Sequence, residues 1–127
     1  MPLAYRPGRG AIVPAQYNRR MGESSGIVAT FRSFGEFYPF YLSQHADRTC
    51  RRLHFVGSSL VLGCWVVALS TMNAWWLLAS LFCGYGFAWI GHFFFEHNKP
   101  ATFKHPFYSF IGDWVMYKDI LVGKIRF

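Results

Sequence analysis

Two apolar runs lie back to back in this chain, separated only by Asn73 and Ala74. The first, Leu53–Met72, contains 20 residues and no charged side chain; its polar members are His54, Ser58, Ser59, Ser70 and Thr71. A helix of about 20 residues rises roughly 30 Å, the thickness of a bilayer's hydrocarbon core. The second run, Trp75–Phe95, has a similar length. A two-residue connection leaves two helices no arrangement except antiparallel neighbours, so their outer ends return to one side. The pattern predicts an all-α membrane protein: a transmembrane helical hairpin flanked by amphipathic interfacial helices.

Composition agrees with that reading. The 127 residues suit one domain, and 53% are hydrophobic and 20% aromatic against only 15% charged, where a soluble domain of this size is richer in charge. The formal net charge is +7, but the basic residues flank the apolar runs instead of forming a stripe. That placement points to anionic lipid headgroups and away from nucleic acid. Arg48, Arg51 and Arg52 precede the first run, Lys99 and Lys104 follow the second, and the turn carries no charge. By the positive-inside rule the outer ends face the cytoplasm, across a bacterial inner membrane or the endoplasmic reticulum. Three cysteines without a C-x-x-C spacing exclude a disulfide scaffold and a zinc ribbon; Cys64 and Cys83 read as small packing residues.

Residues 1–32 are rich in Gly, Pro and Arg and lack the apolar stretch of a secretory signal. They read as a disordered basic arm on the membrane, with an organelle presequence as the other reading, and residues 33–127 as a single membrane-embedded helical domain. Ser33 and Glu36 match a capping box, and Phe34, Phe37, Tyr38, Tyr41, Leu42 and His45 follow at helical spacing. An amphipathic interfacial helix is predicted over 34–47, with Pro39 either in the first turn of a later start or at a kink. Over 105–123, Phe107, Phe110, Ile111, Trp114, Val115 and Leu121 share a face while Asp113, Lys118 and Asp119 interrupt it. This segment reads as an interfacial helix capping the hairpin, with a short or tilted third span as the competitor. Two helices alone bury little surface, so a docked third helix or a homo-oligomer is expected.

The chemistry gathers at the outer ends. His54 opens the first run, His92 closes the second, and His45, His97 and His105 flank them. Ser80, Gly84, Ala88, His92 and Glu96 are spaced four apart and share one helix face, whose small residues admit a close neighbour. His54, Gly57, Ser58 and Val61 form a matching face, and packing the two brings His54 to His92. Ionisable residues at the ends of spans are costly and usually functional. Two histidines and a carboxylate form the facial triad of non-haem Fe(II) oxygenases, and His54, His92 and Glu96 supply one such set. His45 is a third imidazole able to replace the carboxylate, and His97 stands at the same rim as a further candidate ligand. His105, beside Pro106, reads as a surface residue. Donors of this kind, without thiolate, favour iron, manganese or zinc. Glu96 is also placed to pair with Lys99, the arginine cluster to anchor headgroups or to hold a substrate carboxylate, and Asp47 and Asp113 to orient imidazoles. Asn98 and Thr102 carry no signal. Nucleophile-elbow and phosphate-loop motifs are absent from the sequence.

The segments Phe37-Tyr38-Pro39-Phe40-Tyr41-Leu42-Ser43-Gln44-His45, Arg52-Leu53-His54-Phe55-Val56-Gly57, Gly91-His92-Phe93-Phe94-Phe95-Glu96 and Lys99-Pro100-Ala101-Thr102 together resemble the Mpo-like membrane family. The resemblance covers roughly residues 34–122 and is similar to bacterial-type members; the fungal pattern has Asn where this chain has Cys50. It implies an Fe(II)-dependent dioxygenase of fatty-acid α-oxidation, which shortens a 2-hydroxy fatty acid by one carbon. It places the motif histidines at His45, His54 and His92. In that scheme Glu96 is a ligand or base, and an arginine, Arg52 foremost, pairs with the substrate carboxylate. Two other readings fit the same residues: a non-catalytic lipid-binding or assembly protein of the membrane, and a zinc-dependent membrane hydrolase.

Overall fold

The structure, a computed structural model, describes residues 31–127 and is all helical, with no strand among the described residues. The arm read over residues 1–32 thus lies, but for its last two residues, outside the described residues. Ser33 caps the first helix, α1 (Phe34–Ser43), accepting the backbone N–H of Glu36 on its hydroxyl at 3.3 Å. Glu36 closes the other half of the cap one residue early, on the N–H of Arg32 at 3.0 Å. Pro39 sits inside α1 and forfeits one backbone bond there. The helix stops at Ser43, short of the predicted 47, because the chain must turn before Asp47 caps the next helix.

That helix, α2 (Arg48–Thr71), begins five residues before the apolar run, with the Asp47 carboxylate accepting the N–H of Cys50 at 2.9 Å. Arg48, Arg51 and Arg52 therefore form its first turn. It ends where Met72 takes a left-handed conformation, φ 52°, and Asn73 accepts the N–H of Trp75 on its side chain. The return helix, α3 (Trp75–Ile90), continues into a π-helical turn over Gly91–Glu96. His97, left-handed at φ 56°, ends it. A short 3-10 turn (Ala101–Phe103) leads to α4 (Pro106–Leu121), which has Pro106 in its first turn.

Helices α2 and α3 form the expected hairpin. Cys50, His54, Gly57, Val61, Cys64 and Ala68 make the buried face of α2. A Cβ on Gly57 would stand 3.0 Å from Cβ of Phe87 and 3.1 Å from the carbonyl of Cys83, so the two backbones meet where only glycine fits. Ser80 is buried in the same seam, accepting from the Trp65 indole and donating to the Leu77 carbonyl. Arg48–Thr71 and Trp75–Glu96 are both long and apolar enough to cross a membrane. Only 28% and 22% of their most apolar stretches are buried, whereas the core helix of a soluble domain is mostly covered. Phe82, Leu69 and Trp75 are among the large apolar side chains left outside.

The other two helices close one end. Phe37, Tyr41 and Leu42 of α1, Ala101 of the 3-10 turn, and Met116 and Ile120 of α4 form a compact core there. At 16 residues, α4 is the shorter kind of helix expected of a cap, and it is held to both α1 and α2. Arg48 and Arg52 turn outward to the C-terminal segment, while Arg51 donates to the His45 and Ala46 carbonyls at 3.0 and 2.7 Å. Arg48 donates to the Phe127 carbonyl at 2.6 Å, and the Arg52 guanidinium lies 5.2 Å from the centre of the Phe127 ring.

A candidate metal centre

The capped end encloses three imidazoles delivered by three segments. His45 lies in the link between α1 and α2, His54 two turns into α2, and His92 in the π-helical turn; all three are buried. Nε2 of His54 stands 3.2 Å from Nε2 of His45 and 3.2 Å from Nε2 of His92. Two nitrogens bound side by side on one ion at about 2.1 Å stand roughly 3.0–3.4 Å apart. The spacing is that of donors sharing a centre. The Cys50 thiol, one helical turn before His54, completes a buried set of four whose donor atoms all lie within 4.8 Å of one another. This His–Cys–His–His group can hold a metal ion.

The outer nitrogens decide the protonation of the inner ones. Nδ1 of His45 lies 2.7 Å from the Tyr41 carbonyl, which only accepts, so Nδ1 carries the proton. Nδ1 of His92 lies 2.7 Å from Oδ1 of Asn98. Asn98 is oriented by its amide nitrogen, which donates to the Gln44 carbonyl at 3.0 Å and to Oε1 of Gln44 at 3.3 Å. Nδ1 of His54 faces the Asp113 carboxylate at 3.5 Å. His45 and His92 thus keep their protons outside and turn lone pairs inward, and the Asp113 carboxylate favours the same tautomer in His54. Three lone pairs facing one another repel, and a cation among them converts that repulsion into coordination.

Tyr41 binds the assembly together. Its ring stacks on His45 with centroids 4.1 Å apart, and its hydroxyl donates to Oδ1 of Asp113, the same oxygen that faces His54. Burial, and then the nearby Asp113 carboxylate, push the Tyr41 phenol up, which keeps it a donor. Burial, followed by the facing His54 and His92 rings, holds His45 well below the usual imidazole range. His45 is therefore neutral at pH 7, the form that binds metal.

Of the residues singled out by sequence, His45, His54 and His92 are brought together and three others are not. His97 is exposed beyond the π-turn, and its backbone takes the left-handed conformation that reverses the chain. Glu96 is half-buried, outside the set of four, and its carboxylate accepts the backbone N–H of Asp47. It fastens the end of the second hairpin helix to the start of the first. Arg52 is exposed on the far side of α2 against Phe127. Asp113 takes the orienting place anticipated for it, whereas Asp47 serves as a helix cap. Cys50 and Asn98 were not anticipated. The i, i+4 step from Cys50 to His54 was the available signal for the first. The second had none, since Asn98 reaches His92 only through the reversal at His97.

The chain matches the family described as 2-hydroxy-palmitic acid dioxygenase Mpo1-like over residues 31–125. No curated protein and no solved structure matches it. The matched span takes in every helix described above and all four donors of the buried set, and the chain belongs to this family.

Proposed function

From that membership we propose that this protein is a membrane-embedded, Fe(II)-dependent dioxygenase acting on 2-hydroxy fatty acids. One observation carries the reading. Three buried imidazoles, with the outer nitrogens of His45 and His92 hydrogen-bonded and that of His54 facing Asp113, stand with 3.2 Å between neighbouring Nε2 atoms. His45, His54 and His92 would hold the metal, with Cys50 beside them as a fourth donor. Fe(II), when bound, supplies the activation of molecular oxygen that a closed-shell protein side chain cannot provide.

The chain's own residues have definite tasks in this scheme. Asn98, Asp113 and the Tyr41 carbonyl fix the three rings, so that little reorganisation accompanies metal binding. The close-packed α1 and α4 keep bulk water from the centre. In this reading the hairpin crosses a bilayer on the exposed apolar sides of α2 and α3, with the histidine end at the cytoplasmic surface, where the basic start of α2 lies near anionic headgroups. A 2-hydroxy fatty acid dissolved in that leaflet has its polar head at the depth of the centre.

The direct test is anaerobic reconstitution with Fe(II), followed by assay on 2-hydroxyhexadecanoic acid under oxygen. Formation of the chain-shortened product by wild type, and its loss in His54→Ala and His92→Ala, is the expected result. A purified protein that retains zinc and hydrolyses an ester or amide instead would replace this reading.

A second reading rests on the 3.5 Å approach of Asp113 to His54. With its outer side turned to Asp113, the His54 ring also stands at hydrogen-bond distance from Nε2 of His45 and of His92, which suits a non-catalytic bundle of hydrogen-bonded rings. Metal content separates the two: this arrangement retains none after dialysis.

A further inference from the structure

The three imidazoles share a cavity of about 20 Å³ with Tyr85, Trp89, Ser109 and Asp113, which also line it. That volume takes one water-sized group. Ser109 is only 3% exposed, and its hydroxyl has no hydrogen-bond partner. Leaving a buried hydroxyl unpaired destabilises the fold unless a ligand pairs with it. Five other helical hydroxyls, those of Ser43, Ser59, Ser70, Thr71 and Ser80, each donate to a carbonyl of the preceding turn. Ser109 makes no such bond, and it lines the cavity.

The approach of α4 places it there. A Cβ on Gly112 would stand 2.9 Å from the Tyr41 ring, so the glycine lets α4 close onto α1. Ser109 and Asp113, one turn apart, then share the face turned to the histidines. Asp113 is already engaged by Tyr41 and faces His54. Ser109 is the uncommitted donor next to the centre.

We infer that Ser109 is a substrate-binding residue: its hydroxyl donates to an oxygen of the 2-hydroxy-carboxylate head, seating that head beside the histidine centre. This rests on the functional reading above and adds to it the residue that recognises the head. Tyr85 and Trp89 line the same cavity and are 46% and 40% exposed, which makes them the way out for the acyl chain. The cavity admits one oxygen of that head, and the rest of the head lies at its mouth.

The test uses the full-length protein in lipid nanodiscs, loaded with redox-inert Zn(II) so that binding is read without turnover. The equilibrium affinity for 2-hydroxyhexadecanoate is measured by calorimetry for wild type and Ser109→Ala. The variant is expected to bind about tenfold more weakly, the loss of one hydrogen bond to a charged acceptor. Its metal content should equal that of wild type, and its Tm without ligand should be unchanged or raised, because an unpaired hydroxyl has been removed. Unchanged affinity in Ser109→Ala, with wild type still active on 2-hydroxy acids, overturns the assignment of Ser109 and leaves the function standing. A lowered Tm or lost metal makes the residue structural and also overturns the assignment. Wild type that neither binds nor converts the 2-hydroxy acid overturns the functional reading and this inference with it.

Discussion

The two ends of the hairpin are built on opposite principles. At the histidine end, the polar groups are inside: His45, His54 and His92 are buried and each outer nitrogen meets an acceptor. At the turn, the apolar groups are outside: Leu69, Met72 and Trp75 are 77%, 86% and 74% exposed. One pair of helices therefore carries a protein-like interior at one end and an exposed apolar surface at the other. In the proposed function, metal binding and bilayer binding fall to separate lengths of the same two helices, so each can be perturbed alone.

Removing the central histidine should break the comparison most sharply. His54 has an imidazole nitrogen 3.2 Å away on either side, His45 on one and His92 on the other. In His54→Ala the remaining pair no longer encloses a centre, and metal retained after dialysis should fall below about a tenth of the wild-type level. Elemental analysis of the purified protein gives the result, and turnover should fall with it. Undiminished metal would mean that the histidine end is only a hydrogen-bonded cap.

Orienting residues come next. In Asn98→Ala, His92 loses the acceptor that fixes its ring, and in Asp113→Asn, His54 faces an amide in place of a carboxylate. Each substitution should weaken metal binding by roughly 10–100-fold without removing a ligand. Competition titration against a chelator of known affinity measures this. A doubled loss in the pair of changes would show that the two rings are oriented independently.

Acid should act on the same end. Burial lowers the His45 pKa in the folded protein, while the unfolded chain keeps an imidazole near 6.5. Below about pH 6.5 the unfolded state therefore binds a proton that the folded state refuses, and stability falls as pH falls. The slope from this one group approaches about 1.4 kcal/mol per pH unit, until the folded pKa is reached. Thermal melts of the metal-free protein between pH 7.5 and 5 should show a steeper decline for wild type than for His45→Gln. Protons also compete with metal for the same lone pairs, so the loaded protein should release metal over that range.

The sequence disclosed the apolar hairpin almost completely, because length, lack of charge and a two-residue turn leave few alternatives. It disclosed His45, His54 and His92 because His54 and His92 close the faces along which α2 and α3 pack. Glu96 and His97 were harder for a definite reason. The i+4 rule that places Glu96 over His92 assumes α-helical winding, but Gly91–Glu96 winds as a π-helix, in which each residue advances through a smaller angle. The register of the face slips there, and Glu96 turns to the N–H of Asp47 instead. Asn98 and Ser109 lay beyond reach for another reason. Their roles depend on the reversal at His97 and on the approach of α4 at Gly112, which are tertiary events without a periodic signature.

The smallest effect belongs to the turn. Leu69 is 77% exposed and lies four helical turns from His54 on α2. Sites this far apart, with no shared partner, perturb each other by a few tenths of a kcal/mol at most. Leu69→Asn should therefore leave metal affinity within about twofold of wild type. It should nevertheless weaken partition into vesicles, because a polar amide replaces an apolar side chain on the lipid-facing surface. Chelator competition and vesicle flotation on the same preparation read the two properties side by side. If Leu69→Asn instead lowered metal affinity tenfold, the ends would be mechanically coupled through the seam at Gly57 and Ser80, and the division of labour along the hairpin would fail.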